Sequence, residues 1–215
     1  MQADEPGHTA STAEAPEAAS PPARKRPKPG ERRVQILQAL AAMLEQPGAE
    51  RVTTAALAAR LGVSEAALYR HFASKAQMFE GLIDFIEQSV FTLVNQITER
   101  ELPAREKSAQ VVRVLIQFAE KNPGMTRVMV GDALVYENER LQQRMNLFFD
   151  KLEAALKQVL RDSAAAEGSA APTADAQARA AALTALVMGQ LQRFARSGFR
   201  RLPSEHLDAS LALLL

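Results

Sequence analysis

A run of side chains able to bind phosphate lies near residue 70. Tyr69, Arg70 and His71 are consecutive, and Lys75 follows shortly after them. Phenol, guanidinium, imidazole and ammonium groups can each donate a hydrogen bond to a phosphate oxygen. Such contacts position a protein on DNA without reading its sequence. Tyr69 and His71 have a second interpretation, because both could simply pack one helix against another.

Base contacts would come from the residues that precede this run, namely Ser64, Glu65, Ala66 and Ala67. The carboxylate of Glu65 can accept from a cytosine amino group, and alanine methyl groups can contact thymine methyl groups. Arg70 can reach either a guanine or a phosphate. Thr53 and Thr54, at the start of the preceding helix, can offer hydroxyl and backbone N–H donors to a phosphate.

The spacing of residues 53–75, TTAALAARLGVSEAALYRHFASK, predicts a helix-turn-helix that positions these groups. A threonine caps a first short helix, and Gly62 supplies the left-handed turn that ends it. Ser64 then caps a second helix, EAALYRHF. Ser74 and Gln77 form an S-x-x-Q capping box for the next helix. The alternative is a pair of short helices in an ordinary helical protein.

Positive charge is concentrated in the same region. Residues 24–75 hold ten Lys and Arg side chains against four acidic ones, whereas residues 76–215 hold sixteen basic and seventeen acidic ones. Part of the excess lies in a basic arm, ARKRPKPGERR, which could contact phosphates or serve as a soluble linker. A positive field that coincides with a helix-turn-helix favours nucleic-acid binding.

The composition argues against catalytic and membrane classes. The 215 residues are 47% hydrophobic and include no cysteine, which allows a sizeable core but excludes thiolate metal sites. No HExxH, GxSxG, P-loop or GxGxxG pattern occurs, and Glu137 and Glu139 near Arg140 are interpreted as solvated helix charges. We therefore expect no metal, no cofactor and no enzymatic activity. Without a secretory signal or an 18-residue apolar run, we also expect a cytoplasmic location away from membranes.

Apolar residues recur at three- and four-residue steps and no alternating strand pattern occurs, which predicts an all-α fold. Helices are expected at about 31–45, 55–61, 65–72, 74–102, 103–121, 125–134, 137–162, 175–197 and 204–215. The alanine-rich residues 163–176 are predicted to be a mobile loop. The inward stripe of the long fourth helix is expected to comprise Met78, Leu82, Phe85, Ile86, Val90, Leu93 and Ile97.

Three domains are predicted from these patterns. Residues 1–30 form a disordered tail that contains the basic arm. Residues 31–76 form the helix-turn-helix DNA-binding domain, with the motif itself at about 53–72, and residues 77–215 form a C-terminal helical domain.

Small residues in the last long helical segment suit a close helix–helix contact. They are Ala180, Ala181, Ala182, Ala185 and Gly189. The contact could join two chains or pack within one. Dimerisation has independent support, because one short recognition helix reads few base pairs and a two-fold partner doubles the contact.

The head ending in LYRHF-x-SK, followed by a long fourth helix and an all-α body, resembles the TetR family. The resemblance covers residues 31 to about 200. It implies a three-helix helix-turn-helix head joined by the fourth helix to a C-terminal dimerisation and regulatory domain. Members of this family are typically homodimers, and the C-terminal domain often binds a small ligand that controls operator binding.

A second block, AEKNPGMTRVMVGDALVYENERLQQRMN, resembles the SlmA-like branch of that family, the nucleoid occlusion factors. This resemblance implies dimers on palindromic chromosomal DNA sites that antagonise the division protein FtsZ and block septum assembly over the nucleoid. The implied partner site is a groove between helices 4 and 5 that receives the FtsZ C-terminal tail, with Phe85, Val114 and Lys121 as candidate contacts. Leu93 departs from the pattern, which has an arginine there.

Two functions remain open at this stage. The chain is either a DNA-activated division inhibitor or a transcriptional repressor controlled by a small ligand. The apolar helices of the body are compatible with a ligand pocket, so they do not separate the two.

Overall fold

The computed structural model describes residues 30–46, 52–166 and 168–215. Within these ranges the chain forms nine α-helices and one 3₁₀ turn. No strand occurs in these ranges, so the all-α prediction is confirmed. The predicted tail and most of the basic arm lie outside the described residues. The helices are α1 (Glu31–Leu44), α2 (Thr54–Leu61), α3 (Glu65–Tyr69), α4 (Lys75–Thr98), α5 (Ala104–Lys121), α6 (Pro123–Met129), α7 (Glu139–Ala166), α8 (Pro172–Arg196) and α9 (Leu207–Leu214), with the 3₁₀ turn at Asp132–Leu134.

Capping side chains start the helices of the motif where the sequence predicted. The hydroxyl of Thr53 accepts from Ala56 N at 3.2 Å and that of Ser64 from Ala67 N at 3.3 Å. Gly62 ends α2 with φ of 64°, in the left-handed region that glycine adopts without strain. These three local signals fix where α2 and α3 begin and where the turn between them lies.

The capping box at the start of α4 differs in one detail from its expected form. Ser74 Oγ accepts from Gln77 N at 3.2 Å, but Gln77 Oε1 accepts from Ala73 N at 2.9 Å rather than from Ser74 N. Two free N–H groups near the helix start are therefore still satisfied.

The head packs around a small core that continues into the body without interruption. Its buried side chains come from α1, α2, α3 and the turn that follows α3, and include Ile36, Leu40, Leu44, Leu57, Leu68 and Phe72. The Arg33 guanidinium lies 4.1 Å from the centroid of the Phe72 ring. Gly124 of α6 packs directly on the backbone of Ala41, since a Cβ there would lie 2.0 Å from the Ala41 carbonyl oxygen. Head and body are thereby held in close contact.

The long helix α4 buries one face along its whole length. Met78, Phe79, Leu82, Ile83, Ile86, Val90, Val94 and Ile97 are buried. Phe85 and Leu93, which the sequence placed on the inward stripe, are 48% and 42% exposed. That part of the prediction is wrong, because α4 packs on only part of its circumference and these two side chains lie at the edge of its apolar stripe.

The body is built on the antiparallel pair α7 and α8. Gln177 Nε2 of α8 donates to Glu153 Oε1 of α7 at 2.6 Å, which fixes their register. Phe148 of α7 packs edge-on against Phe91 of α4 at 5.4 Å and against Phe149 at 5.1 Å between ring centroids. The contact between Phe91 and Phe148 attaches α4 to the body.

Three predicted boundaries are wrong. The predicted mobile loop at 163–176 is mostly helical, since α7 runs to Ala166 and α8 begins at Pro172. Alanine has the highest helix propensity, and proline suits the first turn of a helix. Helix α3 ends at Tyr69 instead of residue 72. The predicted sixth helix is divided into α6 and the 3₁₀ turn, with Gly131 between them at φ of 85°.

Candidate nucleic-acid interface and partner groove

The start of α3 presents the side chains predicted to read bases. Ser64, Glu65 and Ala66 are exposed and Ala67 is half-buried. The Ser64 hydroxyl is engaged as the cap of α3. Because α3 has only five residues, its exposed first turn is the part that a major groove could receive.

A hydrogen-bonded chain links the starts of α2 and α3. Thr54 Oγ1 donates to Glu65 Oε2 at 2.6 Å, and Tyr69 Oη donates to Thr54 Oγ1 at 3.5 Å. The structure thus brings together three residues that the sequence had proposed separately. One oxygen of Glu65 is used internally, which leaves the other for a base amino group.

The remaining predicted DNA contacts differ in how accessible they are. Tyr69 and Arg70 are exposed, whereas His71 is half-buried, and its carbonyl accepts from the Arg33 guanidinium. Thr53 is exposed, but its hydroxyl is occupied in capping α2. Arg70 is therefore the freest donor at the end of α3, since the Tyr69 hydroxyl already donates to Thr54.

Lys75 has an internal partner that the sequence did not reveal. Its Nζ pairs with Glu137 Oε1 in the turn before α7, and the Glu137 side chain is only 10% exposed. The interpretation of Glu137 as a solvated helix charge is therefore wrong. The two residues are 62 positions apart, and no local pattern reports a contact across that separation.

Further ion pairs join α4 to α7. Arg140 pairs with Glu80, and Arg144 contacts Asp84 Oδ1 at 2.5 Å and Glu87 Oε2 at 2.7 Å. Burial lowers the pKa of Arg144, but the hydrogen bonds that it donates to Asp84 and Glu87, together with their negative charge, raise it more, so its pKa lies above the ordinary value. The guanidinium therefore stays charged and holds α4 at this orientation.

A groove of about 250 Å³ lies between the last turns of α4 and the middle of α5. It is lined by Leu93, Gln96, Ile97, Arg100, Gln110, Arg113, Val114 and Gln117. Helices α4 and α5 are antiparallel neighbours joined by a short connection, so Phe85 of α4 and Lys121 of α5 fall at the same level. Of the three candidate contacts, Val114 lines the groove itself, whereas Phe85 and Lys121 lie toward the head.

The described residues offer neither a membrane span nor a metal site. No helix among them is long and apolar enough to cross a bilayer. Over the same residues, no group of three or more His, Asp or Glu side chains converges as a set of metal ligands.

Both halves of the chain match known protein families. Residues 36–82 match "Bacterial regulatory proteins, tetR family", and residues 105–215 match "Tetracyclin repressor-like, C-terminal domain". A TetR-like transcriptional regulator from a Rhodococcus species superposes with a TM-score of 0.67 over 88% of this chain and 94% of that one. At 20% identity, this likeness concerns the fold alone.

Two curated relatives are much closer in sequence. The nucleoid occlusion factor SlmA of Aliivibrio fischeri is 51% identical over 189 residues, covering 87% of this chain and 96% of the relative. SlmA of Vibrio cholerae is 50% identical over 184 residues, covering 85% and 93%. The resemblance inferred from the sequence is confirmed. The chain therefore belongs to the TetR family and, within it, to the SlmA-like nucleoid occlusion factors.

Proposed function

We propose that this chain acts as a nucleoid occlusion factor, a dimer that binds palindromic chromosomal sites and, when bound, antagonises FtsZ assembly. The observation that carries the proposal is the identity of about one half to SlmA proteins over 85–87% of the chain. Such an alignment includes the body as well as the head. A repressor that shared only the DNA-binding head would match over the first helices alone.

The head supports the DNA-binding part of this proposal. The exposed first turn of α3 would enter the major groove, with Glu65, Ala66 and Ala67 near base edges. Tyr69 and Arg70, exposed at its end, would contact phosphates. Thr54 supports both groups, because it joins Glu65 to Tyr69.

An exposed face of the α7–α8 pair supports dimerisation. Leu147 of α7 and Met188 of α8 are large apolar side chains left exposed. Ala185 is exposed beside them, and a Cβ at Gly189 would meet nothing within 4 Å. Two such faces could approach closely and bury both apolar side chains.

The α4–α5 groove supports binding of the FtsZ C-terminal tail. Phe85 and Leu93 expose apolar surface, and the exposed Lys121 supplies positive charge on α5. Arg113 also lines the groove, but its guanidinium is already paired with Asp208 of α9. A peptide with apolar and acidic side chains would complement both features. Leu93 replaces a charged group with an apolar one, so the middle of the groove favours an apolar side chain of the tail.

Genome-wide occupancy mapping tests the proposed function. We expect many sites spread over the chromosome and a depleted region around the replication terminus. Occupancy confined to one promoter-proximal site would contradict nucleoid occlusion and indicate a local repressor.

A ligand-controlled repressor is the second candidate, and one observation favours it. An open pocket of about 420 Å³ lies between the start of α5 and α9, lined partly by Pro103, Ala109, Leu211 and Leu215. That volume lies within the range of small-molecule sites. A molecule that copurifies with the protein and releases it from DNA would support this function over nucleoid occlusion.

A further inference from the structure

The contact between Lys75 and Glu137 links the candidate DNA-binding head to the body. Lys75 is the first residue of α4, and Glu137 lies in the turn that connects the 3₁₀ turn to α7. The Lys75 side chain is 25% exposed and that of Glu137 is 10% exposed. The lysine is thus accessible from outside, whereas its acidic partner is mostly covered.

A DNA phosphate and the Glu137 carboxylate would both bind the ammonium group of Lys75. An ammonium group has three donors and could contact both anions. The carboxylate and the phosphate would then lie within a few ångströms of each other, where like charges repel. The two contacts therefore weaken one another.

We propose that Glu137 competes with DNA for Lys75, so that the chain without DNA is held in a state of lower DNA affinity. The proposal rests on the DNA-binding function inferred above and adds a regulatory contact to it. When a phosphate binds Lys75, the ion pair with Glu137 breaks and the turn at residues 135–138 is no longer held to α4.

The release has a structural consequence in the body. A covered carboxylate that loses its cation is strongly unfavourable, so Glu137 must move into water or find another cation. Val135 and Tyr136 beside it are exposed, so little packing opposes movement of the turn. The turn leads directly into α7, where Arg144 holds Asp84 and Glu87 on either side of Phe85. DNA binding thereby acts on the part of α4 that carries the proposed partner surface.

Charge-neutralising variants test the competition, using fluorescence anisotropy with a labelled random-sequence duplex, since a phosphate contact is independent of sequence. Glu137→Gln should tighten DNA binding about three- to tenfold. Lys75→Gln should weaken it and lower the salt slope by about one per protomer. Adding Glu137→Gln to Lys75→Gln should not increase DNA affinity further, because the variant has no Lys75 ammonium for Glu137 and phosphate to compete for.

Glu139→Gln is the matched control. Glu139 is exposed on the first turn of α7 and contacts Gln143, so its removal changes the net charge equally without touching Lys75. We expect less than about a twofold effect. An equal gain from Glu137→Gln and Glu139→Gln would overturn the proposal, since it would reflect general repulsion of DNA.

Movement of the turn has its own readout. The chain contains no tryptophan, so Tyr136→Trp introduces a single tryptophan, in the turn, whose emission can be excited selectively. Its emission should shift when duplex DNA is added, and Lys75→Gln should abolish the shift. A shift that survives in Lys75→Gln would contradict the release mechanism.

Failure of this proposal can be told apart from failure of DNA binding. If the wild-type chain binds duplex DNA with a salt slope that Lys75→Gln leaves unchanged, DNA binding stands and the competition is refuted. If the wild-type chain binds no duplex, both fail.

Discussion

Two faces of helix α4 differ in whether their side chains have partners within the chain. Toward α7 its acidic side chains are paired with cations, as Glu80 is with Arg140 and Glu87 with Arg144. Toward α5 it leaves Phe85 and Leu93 exposed beside an open groove. We infer that the face toward α7 fixes the orientation of the helix, while the face toward α5 is available to bind a partner.

Helix α4 also connects the head physically to the groove. The same helix begins at Lys75, next to the DNA-binding motif, and carries Phe85 less than three turns later. An α-helix rises about 1.5 Å per residue, so the two sites lie roughly 15 Å apart along a rigid element. Substitutions on each face should therefore separate stability from binding.

The largest effect on stability is expected at the buried face itself. Leu82 of α4 is fully buried, and Leu82→Ala should lower the free energy of unfolding by about 2–5 kcal/mol, through lost transfer energy and the cavity left behind. Urea denaturation followed by circular dichroism measures the change. A loss below about 1 kcal/mol would mean that α4 is not central to the core.

A smaller loss is expected on the face toward α7. Arg144→Gln removes the cation from Asp84 and leaves Glu87, which is mostly covered, with only the more distant Lys151 Nζ at 3.9 Å. We expect a loss of about 1–2 kcal/mol in the same denaturation assay, because a covered acceptor keeps its desolvation penalty without its partner. Arg161→Gln, which removes an exposed charge at the far end of α7, is the control and should change stability by less than about 0.5 kcal/mol.

The N-cap of α4 should contribute about as much to the free energy of unfolding as an ordinary N-cap does. Ser74→Ala removes the acceptor of Gln77 N and should cost about 1 kcal/mol. Ser74→Asp restores an acceptor and should recover the loss. If Ser74→Asp is no more stable than Ser74→Ala, the hydroxyl does not stabilise the helix start.

The smallest effect on stability is expected at the groove face, where the effect on binding is large. Phe85→Ala removes a half-exposed ring and should change stability by no more than about 0.5 kcal/mol. It should weaken binding of an FtsZ C-terminal tail peptide about tenfold or more, as loss of an aromatic anchor does. Leu213→Ala, at an exposed leucine of α9, should leave peptide affinity unchanged. Equal affinities for both variants would remove Phe85 from the partner site.

Local signals were readable from the sequence, and contacts between distant segments were not. Thr53, Gly62, Ser64 and Ser74 each act on residues within one turn, so their roles followed from spacing alone. The pairing of Lys75 with Glu137 depends on how α4 and α7 pack, which a helix periodicity does not encode. The DNA-contact residues remain a prediction, and the internal partner of one of them, Lys75, could not be foreseen from the sequence.

Errors along the helices have simple physical causes. The alanine-rich residues 163–176 were read as low complexity, although alanine favours helix and extends α7 to Ala166. Phe85 and Leu93 fit the apolar period of α4, but periodicity does not tell how wide a buried face is. The exposure of these two residues became visible only once the position of α5 was known.

Sedimentation of FtsZ polymers in the presence of this protein tests the central claim most directly. With DNA that carries a chromosomal site recovered by occupancy mapping, we expect the sedimented polymer to fall sharply, and to fall much less without that DNA or with Phe85→Ala. Polymers that persist when the protein is saturated with its DNA site would contradict DNA-dependent antagonism of FtsZ.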